Sequence, residues 1–174
     1  MVKLTAERVS TDRTDNFVFQ RSMLAYVEAA KRVGGRVLEI GTGSGYGIRT
    51  IAASANEFIT IDKFRSAAVD NLPTNASFCE AKVPPLPFDD EVFDCVVSFQ
   101  VIEHIRNDKR FVSEVMRVLK PGGRFIVTTP NRPMSLTRNP WHVREYRPEQ
   151  LKTLLSDFSS VECMGVGGNE RVWQ

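Results

Sequence analysis

The sequence lacks the features that mark several large classes of protein. No stretch approaches the roughly 18 consecutive apolar residues of a membrane span, and residues 1–20 are too charged for a signal peptide. Basic residues exceed acidic ones only by 23 to 21, which does not favour a nucleic-acid-binding surface. The three cysteines form no C-x-x-C pair, so neither a zinc ribbon nor a disulfide framework is indicated. We expect a cytoplasmic protein with no nucleic-acid or membrane partner, and the sequence leaves its oligomeric state open.

The length and composition fit one domain with a substantial core. The chain has 174 residues, of which 42% are hydrophobic, and it contains no internal repeat. We interpret residues 1–174 as a single domain with four parts. These are an N-terminal extension and helix over 1–33, a ligand-binding core over 34–130, a substrate loop over 131–147, and a C-terminal helix and strand over 148–174.

Strand and helix patterns alternate along the chain. Apolar and β-branched runs predict strands at 36–40, 58–62, 76–80, 92–98 and 123–129, with a last one near 159–164. Helical periodicity predicts helices over 19–33 and 46–54, one capped by Asn107 or Asp108 and stopped by 121–123, and one that begins at Pro148. Apolar runs without strict alternation indicate a sheet covered on both faces. The predicted class is α/β, with a doubly wound, mostly parallel sheet and helices on both faces.

A glycine loop follows the first strand. The segment VLEIGTGSG at 37–45 places glycine at Gly41, Gly43 and Gly45, directly before a predicted helix. Glycines let a ligand approach the backbone closely, and a helix N-terminus favours a ligand carboxylate. A dinucleotide fingerprint would need glycine at Tyr46 or Ile48, and no P-loop Gly-Lys-Ser/Thr is present. The spacing therefore predicts a nucleotide-like ligand of another kind.

This G-x-G-x-G motif after VLEI resembles the first motif of class I S-adenosylmethionine-dependent methyltransferases, of the type 11-like kind that acts on small molecules. Four further segments resemble the family in order: ITID at 59–62, EA at 80–81 with PPLPF at 84–88, FDCVVS at 93–98 with VIEHI at 101–105, and LKPGG at 119–123. The resemblance covers roughly residues 33–165. It implies a Rossmann-like fold with S-adenosyl-L-methionine as cofactor. It also implies a last antiparallel strand, of which residues 170–174 would form only the beginning.

The resemblance assigns cofactor contacts by position. It implies the following cofactor-binding residues: Glu39, Gly41, Thr42, Gly43, Gly45, Asp62, Lys63, Glu80, Ala81 and Gln100. Glu39 would lie near the methionine ammonium, or would be a strand-end acid satisfied by backbone amides. Asp62, 21 positions after Gly41, would accept the ribose hydroxyls, or would cap a helix from Ser66 onward. Asp94, inside an apolar strand, is expected to hold nearby donors instead of the ligand.

Candidate catalytic residues follow the fourth and fifth strands. Methyl transfer is an in-line displacement, so a base is needed only where the acceptor must lose a proton. The candidates are Glu103, His104 and His142, with ordinary roles at a helix start as the alternative for the first two. Some related methyltransferases bind a divalent metal through Glu-x-x-Glu-His and a distant histidine. Here Gln100 replaces the first carboxylate, so no metal is expected, although His142 could close a mixed oxygen and nitrogen site.

An arginine loop, defined as residues 131–147, carries a local basic patch with two aromatic residues. Its members are Arg132, Arg138, Arg144 and Arg147, with Glu145, Trp141 and Tyr146 between them. Arginine forks suit a phosphate or carboxylate on the acceptor. The alternative is a solvated loop anchored by a packed Trp141.

The predicted activity is methyl transfer from S-adenosylmethionine to an oxygen or nitrogen of a small-molecule acceptor, which the basic patch would suit to a phosphate or carboxylate. The sequence leaves two alternatives open. One is a non-catalytic cofactor-binding or regulatory module. The other is a nicotinamide-dependent oxidoreductase, which shares the fold logic and Asp62 but lacks the third fingerprint glycine.

Overall fold

The structure is a computed structural model that describes residues 16–135 and 139–165. It contains four helices of the α type and five strands within those ranges. In chain order they are α1 Asn16–Ala30, β1 Arg36–Ile40, α2 Ile48–Ala52, β2 Glu57–Asp62, β3 Ala76–Glu80, β4 Phe93–Phe99, α3 Asp108–Val118, β5 Leu119–Thr128 and α4 Pro148–Leu154. No helix in these ranges is both long and apolar enough to cross a membrane.

All five strands form one parallel sheet in the order β3-β2-β1-β4-β5. This confirms the predicted α/β class. The chain runs from the central β1 outward through β2 to β3, then returns to build β4 and β5 on the other side of β1. Since the strand order reverses between β1 and β4, the crevice beyond their carboxyl ends is the position where such sheets bind ligands.

Both faces of the sheet are covered, as the apolar strand runs predicted. Leu38 and Ile40 of β1 pack on one face with residues of α3 and α4, such as Phe111 and Leu151. Val37 points to the opposite face, which packs against α1 and α2. Because side chains alternate along a strand, Glu39 lies on the same side as Val37, facing α1 and α2.

Two predicted elements have different bounds in the structure for reasons that the local geometry shows. The predicted helix over 46–54 is shortened to α2 because a turn with positive φ at Gly45 precedes it. The strand predicted to begin at residue 123 begins at Leu119. Residues 121–123 form a bulge inside β5, since the pairing moves from Phe93 with Leu119 directly to Cys95 with Arg124.

The strand predicted near 159–164 is wrong. This segment has no strand structure, and apart from the half-buried Val161 its side chains are exposed. An extended segment becomes a strand only when a neighbour accepts and donates its backbone hydrogen bonds, and in the described ranges β5 pairs only with β4. The predicted strand start at 170–174 and the extension at 1–15 lie outside the described residues.

Candidate functional site

The glycine loop, residues 41–45, lies at the carboxyl end of β1. The backbone amides of Gly41 and Thr42 both donate to the Ile61 carbonyl, at 2.8 and 3.1 Å, which ties the loop to β2. Gly43 has a φ of +54°, and no atom lies within 4 Å of the point where a Cβ would stand. The loop therefore has an open side at Gly43.

The other side of the glycine loop is tightly packed. A Cβ on Gly41 would come within 2.4 Å of Cγ2 of Val101, which follows β4. A Cβ on Gly45 would come equally close to Cβ of Ala68, which follows β2. These contacts leave Gly43 as the open position between them.

Glu39 lies directly beneath the glycine loop and is 1% exposed. One carboxylate oxygen accepts a hydrogen bond from the Tyr26 hydroxyl at 2.8 Å, and the other accepts one from Thr60 at 2.6 Å. Thr60 in turn lies 2.7 Å from the Thr42 hydroxyl, so the Thr42 side chain belongs to this buried network. Side-chain hydroxyls, and not the backbone amides considered above, thus satisfy this strand-end acid.

Burial governs the electrostatics of this network. It raises the pKa of Glu39 to about 7, an effect that the two hydroxyl donors oppose and the nearby Asp62 reinforces. Burial also raises the pKa of Tyr26, and the Glu39 carboxyl adds to that rise. The phenol is therefore a hydrogen-bond donor at neutral pH.

Asp62 ends β2 beside the open side of the glycine loop. Its carboxylate accepts from the Gly43 amide at 3.0 Å and from the Phe64 amide at 3.3 Å. The alternative of a helix cap does not hold, because Ser66 occupies the N-cap of the following 3-10 helix. The neighbouring Lys63 is exposed, and its ammonium lies 5.3 Å from the Phe64 ring centre.

Two further predicted cofactor positions lie next to Asp62 in the sheet. Glu80 pairs with Asp62 across β2 and β3 and is exposed. Ala81 donates its amide to the Asp62 carbonyl at 2.9 Å. The three residues therefore form one edge of the crevice.

Gln100 is the first residue after β4 and has a φ of +56°. Its backbone amide donates to the Thr128 carbonyl at 3.0 Å, and its side-chain amide nitrogen donates to the Thr128 hydroxyl at 3.2 Å. A non-glycine residue with positive φ is uncommon, and such backbone is held in place only when its surroundings require it. The two hydrogen bonds from Gln100 to Thr128, at the end of β5, hold the backbone of Gln100 in this conformation.

The three candidate catalytic residues come together. Glu103 and His104 lie in a 3-10 helix at Ile102–His104, and His142 lies 38 positions further along, in the arginine loop. One ligand-type atom from each falls within 4.8 Å of the others, and the two imidazole rings are 5.0 Å apart. We call these three residues the histidine cluster.

Several hydrogen bonds hold the histidine cluster in place. His142 Nδ1 lies 2.8 Å from the Glu145 carboxylate, and His104 Nδ1 lies 3.0 Å from the Trp141 carbonyl. The Thr129 hydroxyl donates to Glu103 at 3.1 Å. The hydrogen bond from His142 holds the pKa of Glu145 below its ordinary value, against the opposing effect of burial.

The arginine loop is less basic than its sequence suggests. Arg144 makes a 2.9 Å ion pair with Asp108 and lies over the Tyr146 ring. Tyr146 is 1% exposed and donates to the same Asp108 carboxylate, whereas Trp141 is 58% exposed. The packed anchor of the loop is thus Tyr146, and the alternative that gave this role to Trp141 is wrong.

Of the remaining arginines, Arg132 and Arg147 are exposed, and Arg138 lies outside the described residues.

Asp94 holds donors as predicted: it accepts from the Arg36 amide at 2.7 Å and from Lys120 at 2.8 Å. Both bonds lower its pKa. They stabilise the amino-end side of the sheet, away from the crevice.

Four residues of the site were not predicted from the sequence. They are Tyr26, Thr60, Thr129 and Glu145. Tyr26 lies within the predicted helix over 19–33, but nothing in a periodic pattern assigns a partner to its hydroxyl. Of the four, only Glu145 could have been predicted from the sequence. It follows His142 by three positions, and that spacing places two side chains near each other in a turn.

Comparison with known proteins places this chain in a family. A family model described as a methyltransferase domain matches residues 38–127. A probable S-adenosylmethionine-dependent methyltransferase of Mycobacterium tuberculosis is 38% identical over 176 aligned positions, which cover 96% of this chain. The chain spans 64% of the length of that relative.

Two solved structures show the same fold. The YcgJ protein of Bacillus subtilis is 26% identical, with a TM-score of 0.66 over 79% of this chain and 67% of that one. A chain described as the [4+2]-cyclase SpnF is 28% identical, with a TM-score of 0.65 over 79% of this chain and 56% of that one.

Proposed function

The chain belongs to the S-adenosylmethionine-dependent methyltransferases, and on that premise we propose that it transfers a methyl group from S-adenosylmethionine to an oxygen or nitrogen of a small metabolite that carries a phosphate or carboxylate. S-adenosylmethionine is the methyl donor of this family. The relevant crevice is formed by the carboxyl ends of β1, β2 and β4.

The observation that carries the proposal is the open space over Gly43 beside the Asp62 carboxylate. A side chain at Gly43 would fill that space, whereas its absence lets the ligand lie directly on the backbone. Asp62 has a carboxylate at the rim of this space and can accept hydrogen bonds from a ribose diol. The residues present therefore fit the cofactor.

The adenosine end of the ligand would extend from Asp62 towards the other residues of β2 and β3. Lys63, Glu80 and Ala81 would border the adenine there, and Gln100 would face the opposite, methionine end. Glu39 has both carboxylate oxygens occupied and is buried. We therefore give it an indirect role, in which it holds Thr42 and the glycine loop in shape through Thr60.

The bound cofactor would supply an activated methyl group on a sulfonium. The methyl group would pass from that sulfur to the acceptor oxygen or nitrogen, with S-adenosylhomocysteine as the other product. The chain has to position the acceptor and, for a hydroxyl acceptor, remove one proton. His104 and His142 are the groups in the described part of the crevice that could accept it at a ring nitrogen, and Glu103 would orient them.

Acceptor binding would fall to the exposed part of the arginine loop. Arg132 and Arg147 are exposed, so their guanidinium groups could bind an anionic group from solution. Trp141 is exposed beside the histidine cluster and offers an apolar surface for the body of the acceptor.

A second candidate function is a reaction other than methyl transfer on the same cofactor-binding fold. The likeness to a chain described as a [4+2]-cyclase supports it, because a fold does not fix the chemistry of its site. Release of S-adenosylhomocysteine distinguishes the two, since only methyl transfer produces it.

Calorimetric titration with S-adenosylhomocysteine tests the cofactor site. We expect binding by the intact chain, and Asp62→Ala should weaken it by on the order of 10- to 100-fold, because hydrogen bonds to a charged group contribute roughly 1.5–3 kcal/mol. Asp70→Ala is the matched control, since Asp70 is an exposed aspartate on the same segment that pairs with Arg65. Absence of binding by the unmodified chain would refute the proposal.

The acceptor is identified by incubating the protein with methyl-labelled S-adenosylmethionine and fractionated metabolites. A labelled product retained on an anion-exchange resin is the expected result. Label confined to neutral or cationic products would contradict the anionic acceptor, and conversion of a metabolite without label transfer would favour the second function.

A further inference from the structure

The chain has only two histidines, and the fold brings them together. His104 and His142 join Glu103 with one ligand-type atom of each within 4.8 Å of the others. Glu103 is fully buried and His142 is 7% exposed, whereas His104 is half-buried. A single ion could therefore contact all three side chains and remain reachable from the His104 side.

Each histidine also has the outer hydrogen bond that is typical of a metal ligand. Metal-bound histidines almost always donate their other ring N–H to a carboxylate or a backbone carbonyl. His142 Nδ1 lies 2.8 Å from the Glu145 carboxylate, and His104 Nδ1 lies 3.0 Å from the Trp141 carbonyl. These acceptors favour the Nδ1–H tautomer in both rings and so assign Nε2 as the metal-binding atom of each.

The carboxylate of the cluster is held in the same way. Thr129 donates to one Glu103 oxygen at 3.1 Å, which orients the carboxylate from the end of β5. The Glu103 carbonyl accepts the amides of Val143 and Arg144, at 2.8 and 3.2 Å. These backbone bonds fix the segment that carries His142 against the segment that carries Glu103 and His104.

We propose that Glu103, His104 and His142 bind a divalent first-row transition metal ion of the zinc type. Two imidazoles and one carboxylate are a known ligand set for zinc with open coordination positions, whereas Mg²⁺ prefers oxygen ligands. Binding would replace the polar contacts that these side chains make in the metal-free protein.

This inference departs from the expectation of no metal, which was based on the loss of a carboxylate at Gln100. The Gln100 side-chain nitrogen is bonded to Thr128, and the cluster closes without that position. The inference goes beyond the proposed function, since ion binding requires neither the methyl donor nor an acceptor.

If the proposed function holds, the position of the ion would allow it to act on the methyl acceptor. Val101, two positions before Glu103, packs directly against Gly41 of the glycine loop. The ion would thus lie at the same end of the crevice as the methyl donor. Its open positions could bind an anionic oxygen of the acceptor and lower the pKa of an acceptor hydroxyl, a role that would replace proton acceptance by the two histidine rings, whose Nε2 atoms would then hold the ion.

The experiment uses tag-free protein that has been stripped with a chelator and dialysed. Zn²⁺ affinity is measured by competition with a chromophoric chelator, and Co²⁺ is added separately to record its absorption spectrum. We expect one equivalent of each ion to bind, with a Co²⁺ spectrum that lacks thiolate charge transfer. Cys163→Ser, which removes an exposed thiol, should leave both results unchanged.

Variants of the cluster assign the site. His142→Gln and Glu103→Gln should abolish stoichiometric binding, and Glu145→Gln, which alters only the outer hydrogen bond, should weaken it by about 10- to 100-fold. Glu149→Gln is the matched control, since Glu149 is an exposed glutamate in the first turn of α4. If a ligand variant fails to fold, as judged by circular dichroism, Glu145→Gln decides the question.

Absence of stoichiometric Zn²⁺ binding overturns the inference, as does tight binding that survives both His142→Gln and Glu145→Gln. Binding of S-adenosylhomocysteine is measured on the same samples. Because the two ligands are titrated separately, a failed metal site leaves the cofactor result intact, and a failed cofactor site leaves the metal result intact.

Discussion

The buried acid under the glycine loop makes the stability of the protein depend on pH in a defined way. Burial raises the pKa of Glu39 from an ordinary 4.5 to about 7, so the folded state favours the protonated carboxyl. Between these two values the folded chain holds a proton that the unfolded chain has lost. This contribution to stability is therefore fully present below pH 4.5, falls as the pH rises, and is lost above pH 7.

The size of this effect follows from the two pKa values. One pKa unit corresponds to about 1.36 kcal/mol, so the rise of the Glu39 pKa from 4.5 to about 7 corresponds to a loss of about 3 kcal/mol between acid and neutral pH. Four carboxyls of the described residues have lowered pKa values and act in the opposite direction, namely Glu28, Asp94, Glu114 and Glu145. They lose their contribution below their ordinary pKa, so their effect lies outside this window.

The assay is urea unfolding of wild type and Glu39→Gln at a series of pH values from 4.5 to 8. Glutamine resembles the protonated carboxyl and cannot ionise, so the variant should lack the fall in the free energy of unfolding that wild type shows. Its stability relative to wild type should rise by about 3 kcal/mol across the series. Glu149→Gln, at an exposed site, should follow wild type, and parallel curves for wild type and Glu39→Gln would refute the reasoning.

Two pairs of glycine substitutions test the open position in the glycine loop and the packing of Tyr26 beside it. Gly43→Ala and Gly122→Ala both place alanine at positive φ in open space, so each should lose roughly 1–2 kcal/mol of stability, but only Gly43→Ala should weaken S-adenosylhomocysteine binding in calorimetry. If Gly43→Ala and Gly122→Ala weaken S-adenosylhomocysteine binding equally, the ligand does not lie over Gly43. Gly47→Ala would bring a Cβ within 2.0 Å of the Tyr26 ring and should lower the free energy of unfolding by roughly 1–3 kcal/mol in urea titrations. Gly34→Ala meets no atom within 4 Å and should be near neutral, and a neutral Gly47→Ala would show that the ring moves aside.

Strand positions and the order of local motifs were largely accessible from the sequence. β1 and β3 match the predicted residues, and the glycine loop and Asp62 lie at the strand ends where the sequence pattern predicts them. Such features depend on short-range physics, namely side-chain periodicity and the backbone freedom of glycine. Boundaries that depend on a distant partner were missed, as at Leu119, where pairing with Phe93 extends β5 across the Pro-Gly-Gly segment.

The candidate site shows the same division. The sequence by itself determined the family resemblance, the cofactor class and the candidate residues at the strand ends, because these lie in contiguous motifs. Only the tertiary structure decided that Tyr26 and Thr60 enclose Glu39 and that His142 joins His104, since no local pattern specifies which distant side chains meet. The glycine loop belongs to a motif of nine consecutive residues, 37–45, whereas the histidine cluster exists only because the sheet brings the segments after β4 and β5 to one edge.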